Sequence, residues 1–165
     1  MSTNHKPQLE RFLATEAETL ELGAQIARGV APGTVIYLRG DLGAGKTTLA
    51  RGLLRELGAG HRIKSPTFTL VEPYILSSLY LYHFDFYRFK RPDEWTEAGF
   101  RDYFHAASVC LVEWPDKAGD QLPAADVVVA LELAGSGRNA VLRADTEVGI
   151  KCLASVSAQT ENSKR

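Results

Sequence analysis

Residues 40–47 read GDLGAGKT, which fulfils the pattern Gly-x-x-x-x-Gly-Lys-Thr of a phosphate-binding loop. Its glycines allow successive backbone N–H groups to point toward one centre, where they can bind phosphate oxygens. Lys46 adds a positive charge for the β and γ phosphates, and Thr47 adds a hydroxyl group that can bind Mg²⁺. The segment therefore predicts a site for a nucleoside triphosphate with its magnesium ion.

The residues on either side of this segment have the pattern that a phosphate-binding loop requires. Residues 34–38 are a short β-branched and aromatic run, typical of a buried strand. After the loop, leucines recur at helical spacing from Leu49 to Leu57, and Gly58 would end the helix. Between a strand and a helix, the loop's N–H groups and the helix dipole can act on the same phosphate.

The rest of the chain predicts an α/β fold, a three-layer P-loop NTPase-like sandwich with a mixed sheet that includes antiparallel hairpins. Thr15 and Glu18 have the spacing of a helix-capping box, and apolar residues follow at helical spacing as far as Gly29. Short connections between later strands favour hairpins. The expected later elements are strands at 68–72, 79–85, 109–113, 127–133 and 140–143, and a helix from Asp93 through Phe104.

Length and composition favour one domain, since the chain has 165 residues. We expect a flexible lead-in over residues 1–10, a single P-loop ATPase domain over 11–147, and a polar, flexible tail over 148–165. Cys110 and Cys152 do not form the disulfide framework of a secreted protein. The sequence has no pattern of a signal peptide or membrane span, so a cytoplasmic location without membrane contact is expected.

The charge balance bears on nucleic-acid binding. The chain has 19 Lys and Arg against 20 Asp and Glu, a formal net charge of -1. Proteins that bind RNA or DNA by themselves usually carry a basic excess or a basic patch. The sequence therefore predicts that contact with a nucleic acid runs through a partner.

Two carboxylates are candidates for the metal site, because nucleotide-bound Mg²⁺ usually also needs an acid at the end of an apolar strand. Glu113 ends one such run and Asp85 ends another. The residue types leave open which of the two serves the metal. His83, two residues before Asp85, is more typical of strand packing than of catalysis.

Two further segments each allow two interpretations. Residues 64–67, with the sequence KSPT, suit either a segment that senses the γ-phosphate or a simple turn. Residues 80–89 together with Trp95 form an aromatic strip that suits either an interface or the core. Core is the favoured interpretation for most of these aromatic residues.

Two patterns that the sequence lacks bear on which base the protein binds and on which reaction it performs. Common GTPases read guanine with Asn-Lys-x-Asp, but none of the three asparagines, Asn4, Asn139 and Asn162, precedes a lysine. Small-molecule kinases usually close an arginine-bearing lid, and the second half of the chain has no evident arginine cluster. Guanine specificity therefore has no support, and a P-loop small-molecule kinase is less favoured but stays open as the alternative, with a nucleotide-gated binding module without turnover as the third interpretation.

Several segments together resemble the bacterial TsaE (YjeE-type) family of P-loop ATPases. These segments are residues 40–48, 64–74 (KSPTFTLVEPY), 82–88 (YHFDFYR) and 111–115 (LVEWP). The resemblance implies a Mg²⁺-dependent ATPase required for threonylcarbamoyladenosine in tRNAs that read codons beginning with A. It implies ATP and Mg²⁺ as cofactors and the TsaB–TsaD heterodimer as partner, with tRNA reached only through that complex.

The resemblance also implies roles for individual residues. Lys46, Asp85 and Glu113 would form the catalytic set, and Thr47, Glu113 and Asp85 the metal set. Asp85 would serve hydrolysis, and Glu113 would hold the metal. The implied nucleotide-binding residues are Glu16, Asp41, Leu42, Gly43, Ala44, Gly45, Lys46, Thr47, Thr48, Ser65, Thr67 and Arg138.

The resemblance also implies where four residues lie relative to the nucleotide, while the expected rate follows from the residues of the chain itself. Ser65 and Thr67 would belong to a switch-like segment near the γ-phosphate, while Glu16 and Arg138 would lie near the nucleotide. No arginine finger is evident within the chain, so hydrolysis is expected to be slow in the isolated protein and faster when a partner docks.

Overall fold

The fold is a seven-stranded mixed sheet with helices packed against it, in a computed structural model that describes residues 6–164. The strands are β1 (Gln8–Leu13), β2 (Val35–Arg39), β3 (Val71–Ile75), β4 (Tyr80–Asp85), β5 (Ser108–Glu113), β6 (Val127–Ala134) and β7 (Gly137–Ala144). The α-helices are α1 (Glu16–Gly29), α2 (Lys46–Leu57), α3 (Glu94–Glu97) and α4 (Glu147–Asn162). Short 3₁₀ helices occupy Gly60–Arg62, Phe100–Tyr103 and Pro115–Gln121.

The centre of the sheet is parallel, and its order is β1-β7-β6-β2-β5-β4-β3. β2 lies between β5 and β6 and runs parallel to both, and β4 runs parallel to β5. At one edge of the sheet, β3 pairs antiparallel with β4. Toward the other edge, β7 pairs antiparallel with β6, and β1 pairs antiparallel with β7. The carboxyl ends of β2, β4 and β5 therefore meet at one edge, where open α/β sheets bind their ligands. This arrangement confirms the expected α/β class with antiparallel hairpins.

The two faces of the sheet carry different hydrophobic clusters. An aliphatic cluster that includes Leu38, Leu53 and Leu111 fills the face under α1, α2 and α4. An aromatic cluster fills the opposite face; it includes Tyr82, Phe84, Phe86, Phe89, Trp95 and Phe100. Successive residues of a strand point to opposite faces, so β4 and β5 contribute to both clusters. Most of the aromatic strip is therefore core, as favoured, whereas Tyr80 and Tyr87 are exposed.

Two glycines bring α1 and α2 into close contact. A Cβ atom on Gly23 would lie 2.2 Å from the carbonyl oxygen of Leu49, and one on Gly52 would lie 2.2 Å from that of Leu20. Only residues without a side chain permit this approach. Because α2 starts at the phosphate-binding loop, this contact also fixes the direction of the helix that points at the phosphate site.

The C-terminal residues correct the expected flexible tail over 148–165. Most of them form α4, in which Leu153 and Val156 are buried and Gln159 Nε2 donates to the carbonyl oxygen of Gln25 in α1 at 2.9 Å. The small polar residues between the apolar positions hid this helix, because its apolar stripe is narrow. The stripe is nevertheless wide enough to pack against α1 and β7.

Replacing Leu153 with alanine is expected to lower the free energy of unfolding by about 2–5 kcal/mol, the usual cost of a buried Leu→Ala change. Urea denaturation of the full chain measures this change. Lys151→Ala is the matched control on the exposed side of α4, with an expected change within about 0.5 kcal/mol. Equal effects of the two substitutions would show that α4 does not pack on the domain.

Other boundaries also differ from the expectation. Of the expected lead-in, residues 8–10 belong to β1, which pairs with β7, and residues 1–5 lie outside the described part of the chain. β3 begins at Val71 because a hydrogen bond from the Leu70 N–H to the Pro66 carbonyl oxygen closes a turn before it. The helix expected from Asp93 ends at Glu97, and Gly99, at φ 73°, starts a separate 3₁₀ turn.

Candidate nucleotide-binding site

The phosphate-binding loop joins β2 to α2 through a curved backbone. Gly40, Gly43 and Gly45 have φ values of 150°, 82° and 107°. The values at Gly43 and Gly45 lie in the left-handed region, which residues with side chains rarely adopt. Gly45 is the N-cap of α2 and supplies no side-chain cap, so the first N–H groups of the helix remain available for a phosphate.

Lys46 lies buried at the centre of this loop. Its Nζ donates to the carbonyl oxygens of Gly40 and Asp41, and it lies 3.9 Å from the centroid of the Trp114 ring. Burial lowers the pKa of Lys46, and the nearby carboxylates, Glu113 first, oppose that shift. The ammonium group is therefore held over an aromatic ring, in a cation–π contact, beside the phosphate-binding backbone.

Glu113 is the carboxylate that contacts the loop. The Thr47 hydroxyl donates to Glu113 Oε1 at 3.1 Å, and Glu113 Oε2 lies 2.7 Å from Nε2 of His83. Glu113 and His83 are both buried. His83 therefore does more than pack in its strand, because it fixes the orientation of the carboxylate that reaches Thr47.

Asp85 lies beside Glu113 at the ends of β4 and β5, where the two residues are paired in register. Its Oδ1 accepts a hydrogen bond from the Tyr87 N–H at 2.9 Å. Burial raises the pKa of Asp85, and the Tyr87 N–H opposes that rise. Asp85 lines one cavity of about 240 Å³ together with Lys46, Thr47 and Glu113, so both candidate acids reach the same space.

These oxygen donors fit a magnesium ion that a nucleotide brings with it. Mg²⁺ is usually held by one or two carboxylates together with substrate phosphates and water, not by a cage of protein ligands. Thr47 and Glu113 supply an adjacent hydroxyl and carboxylate. Within residues 6–164 there is no group of three or more His, Cys, Asp or Glu side chains that could hold a metal ion alone.

The switch-like segment reaches the cavity through one of its two hydroxyl residues. Thr67 lines the cavity, and its hydroxyl lies 2.7 Å from the Ser65 hydroxyl, which lies outside the lining. Leu70, at φ 70°, ends the turn that carries these residues. Thr67 therefore faces the cavity, whereas Ser65 reaches it only through its hydrogen bond with Thr67.

Arg138 lies against the loop, whereas Glu16 does not contact it. A Cβ atom on Gly45 would lie 2.3 Å from Arg138 Nη1, so the guanidinium group lies directly over this glycine. Leu13 pairs with Arg138 in the sheet. Glu16 is the first residue of α1, three positions after Leu13, and its side chain is exposed. In the described part of the chain, no hydrogen bond or ion pair joins Glu16 to the loop. The other loop residues that line the cavity are Asp41, Leu42, Gly43, Ala44 and Gly45, while Thr48 lies outside the lining.

Three exposed hydrophobic side chains belong to the segments that form the cavity: Leu42 and Tyr87 line it, and Phe68 follows Thr67 of the lining in the chain. Leu42, Phe68 and Tyr87 are 63%, 76% and 42% exposed, and we call them the apolar rim. The Arg88 guanidinium lies 4.1 Å from the centroid of the Phe68 ring. The ring of Tyr87 lies 5.1 Å from that of Trp114, which itself lies under Lys46.

Sequence patterns did not assign roles to Trp114, Tyr87 or His83, although signals were present. Trp114 directly follows Glu113, and its backbone φ of 58° turns the ring back toward the loop. His83 and Asp85 alternate with core residues on one face of β4, which is the face of Glu113 in β5. The alternation could have shown that His83 and Asp85 share a face of β4, whereas their contact with Glu113 also depends on the pairing of β4 with β5.

The chain also matches a known protein family over most of its length. Residues 13–140 match the family model described as "Threonylcarbamoyl adenosine biosynthesis protein TsaE". The chain belongs to the TsaE family. This result confirms the resemblance found in the sequence, and it establishes a connection with tRNA threonylcarbamoyladenosine biosynthesis.

Individual members of the family match over most of their length. A tRNA threonylcarbamoyladenosine biosynthesis protein TsaE from Haemophilus influenzae is 40% identical over 154 residues, which cover 90% of this chain and 98% of that protein. The TsaE protein of Bacillus subtilis is 40% identical over 128 residues, covering 78% and 80%. The crystal structure of YdiB from Bacillus subtilis superposes with a TM-score of 0.80 at 31% identity and covers 96% of this chain and 99% of that one.

Membrane contact was not expected. No helix in the described part of the chain combines the length and the apolar character that crossing a bilayer requires.

Proposed function

We propose that this TsaE-family protein is a Mg²⁺-dependent ATPase that acts in the cytoplasm on the TsaB–TsaD heterodimer during threonylcarbamoyladenosine modification of tRNAs reading codons that begin with A. The observation that carries the proposal is the single cavity that joins Lys46, Thr47, Asp85 and Glu113 at the phosphate-binding loop. A cation, a hydroxyl and two acids beside a helix N-terminus are the groups that phosphoryl transfer to water requires.

In the proposed site, the backbone of residues 40–47 binds the phosphates and Lys46 neutralises their charge. Thr47 and Glu113 would hold Mg²⁺, which would supply positive charge to the phosphate oxygens. His83 keeps Glu113 in place through the 2.7 Å contact. Asp85 accepts a hydrogen bond from the attacking water and orients it toward the γ-phosphate.

Arg138 and Glu16 are proposed to lie near the nucleotide. The Arg138 guanidinium places a positive charge over Gly45 of the loop. Arg138 is not among the residues that line the cavity containing Asp85. Thr67 would sense the γ-phosphate from the opposite wall. This arrangement leaves the cavity without an arginine among its lining residues, which supports slow hydrolysis in the isolated protein.

The partner is proposed to dock at the apolar rim. Leu42, Phe68 and Tyr87 offer large exposed side chains, which are favourable anchors for a protein interface. They come from the loop, from the turn after the switch-like segment and from the turn after Asp85. A protein docked on the rim would touch each of the segments that surround the γ-phosphate, and tRNA would enter as part of that assembly.

ATP hydrolysis is expected to accelerate when the TsaB–TsaD pair is added, by about tenfold or more, because docking can order the rim and supply charge to the transition state. A coupled ADP-release assay with and without the pair measures this change. Phe68→Ser, which removes a rim side chain, should lower the stimulation while leaving the basal rate unchanged. Phe12→Ser is the matched control, since Phe12 is 59% exposed in β1 at the opposite side of the sheet.

The same assay separates the alternatives. ADP release that requires a small-molecule acceptor would indicate a kinase. Binding of ATP without ADP release under any condition would indicate a nucleotide-gated binding module. A basal rate equal to that of the assembled complex would contradict partner stimulation.

A further inference from the structure

A second surface of the protein is strongly basic, although the formal net charge is -1. Five residues of α2 and of the following connection define it, and we call it the basic surface: Arg51, Arg55, His61, Arg62 and Lys64. Arg51 is half-buried and the other four are exposed. The surface contains two cavities of about 540 and 550 Å³, which share His61 in their linings.

The charges of the basic surface are not neutralised within the protein. Across residues 6–164, no carboxylate lies within ion-pair distance of any of its five side chains. Some arginines elsewhere are paired, since Arg28 pairs with Glu21 and Glu56, and Arg143 pairs with Asp145. Others, such as Arg88 and Arg101, make no ion pair in the described chain. What characterises the basic surface is that its unpaired cations line two cavities that share His61.

Two acids lie close to the basic surface. Glu56 follows Arg55 in sequence, but its carboxylate binds Arg28 at 3.0 Å. Glu72 lines the larger cavity and accepts only from the neutral Thr69 hydroxyl at 3.0 Å, so its negative charge offsets part of the positive charge there. Bringing unpaired cations together costs electrostatic free energy, which a bound polyanion would recover.

The connection that carries Lys64 is fixed in place. The Tyr74 hydroxyl accepts from the Lys64 N–H at 2.9 Å and donates to the Lys64 carbonyl oxygen at 3.2 Å. The basic surface is thus carried by a helix and by a loop whose backbone is tied to β3.

We infer that the basic surface binds the phosphate backbone of tRNA. Three of its five residues are arginines, whose planar guanidinium groups suit phosphate oxygens. The inference rests on the proposed function for the identity of the RNA, because the modification acts on tRNA. An acidic protein is the less favoured occupant, because a protein interface usually needs exposed hydrophobic anchors. In the cavities of the basic surface, Ile75 is the one exposed large hydrophobic side chain among the described residues. The other such side chains near the switch-like segment belong mostly to the apolar rim.

The protein would therefore contribute phosphate contacts of its own, in addition to those of its partner. The surface adjoins the nucleotide site, because Lys64 directly precedes Ser65 of the switch-like segment. RNA bound on the basic surface would lie beside a protein partner docked on the apolar rim, and the two would not compete for the same residues.

Fluorescence anisotropy with labelled, unmodified tRNA tests the inference, using the full chain without nucleotide or partner over a series of salt concentrations. We expect wild-type affinity to fall linearly with salt on logarithmic axes. Arg55→Glu/Arg62→Glu should bind at least tenfold more weakly and with a flatter slope. The control Lys151→Glu/Lys164→Glu, which makes the same charge change on exposed α4 and C-terminal positions, should stay within threefold of wild type.

Folding is checked by thermal melting and by basal ADP release, which neither double variant should change. Arg62→Glu/Lys64→Glu serves as a second variant because both positions lie outside α2, and it should show the same loss. Failure of wild type to bind tRNA at low salt, or an equal loss in the control, would overturn the inference. Loss of TsaB–TsaD binding in Arg55→Glu/Arg62→Glu with tRNA binding unchanged would overturn it in favour of an acidic protein. Failure of the proposed ATPase would appear separately, as absent ADP release in wild type.

Discussion

Replacing Lys46 with alanine is expected to weaken ATP binding by about two orders of magnitude. A hydrogen bond to a charged group contributes about 1.5–3 kcal/mol, and each 1.4 kcal/mol is a tenfold change in affinity. Lys46 is the buried cation at the loop, and its ammonium group is held between the loop carbonyls and the Trp114 ring. No other side chain of the cavity carries a positive charge.

Isothermal titration with ATP and Mg²⁺ measures the change. Lys46→Met keeps the side-chain length and its packing on Trp114, so it separates the lost charge from a loosened loop, and it should bind nearly as weakly as the alanine variant. Lys117→Ala removes the same charge from an exposed position outside the cavity and should bind ATP as wild type does. Wild-type affinity in Lys46→Met would show that the charge does not hold the phosphates.

Replacing Asp85 with asparagine is expected to lower the turnover rate by about 10²–10⁴-fold while changing ATP affinity by less than threefold. This range is typical for loss of a group that handles protons or water in the transition state. Asparagine keeps an oxygen that can accept the Tyr87 N–H at the 2.9 Å position, so the local backbone should not move. Single-turnover hydrolysis and ATP titration on the same preparation give the two quantities.

Glu113→Gln provides the contrast that identifies the role of Asp85. Because the Thr47 hydroxyl contacts Glu113 and not Asp85, the glutamine variant should need more Mg²⁺ for half-maximal activity. Asp85→Asn should keep the wild-type magnesium requirement. Asp102→Asn, an exposed acid, should behave as wild type in both assays. Equal loss of ATP binding in Asp85→Asn and Lys46→Ala would reject a role for Asp85 in hydrolysis alone.

The sequence patterns that predict the phosphate-binding loop are local. The loop pattern, the strand before it and the helix after it all lie within residues 34–58, and their order suffices to place Lys46 and Thr47 at the start of α2. The hairpins were predictable for the same reason, since short connections between apolar runs favour antiparallel pairing. Family resemblance added the order of the distant motifs.

Contacts that depend on strand order were not predictable from local patterns. Whether Asp85 or Glu113 reaches Thr47 depends on β5 lying between β2 and β4, which places Glu113 nearer to the loop. α4 was missed because its stability comes from packing against α1 and not from the propensity of its residues. The basic surface could not be predicted from the net charge, because the net charge counts all residues equally wherever they lie. The cations of α2 and of the loop after it are brought together only by the fold.

Mass spectrometry of tRNA nucleosides after depletion of this protein in its own host tests the central claim most directly. Threonylcarbamoyladenosine is expected to fall on depletion, to return with the wild-type chain, and to stay low with Lys46→Ala or Asp85→Asn expressed at the same level. An unchanged amount of threonylcarbamoyladenosine after depletion would contradict the role in tRNA modification. Full recovery with both variants would contradict the role of ATP hydrolysis at this site.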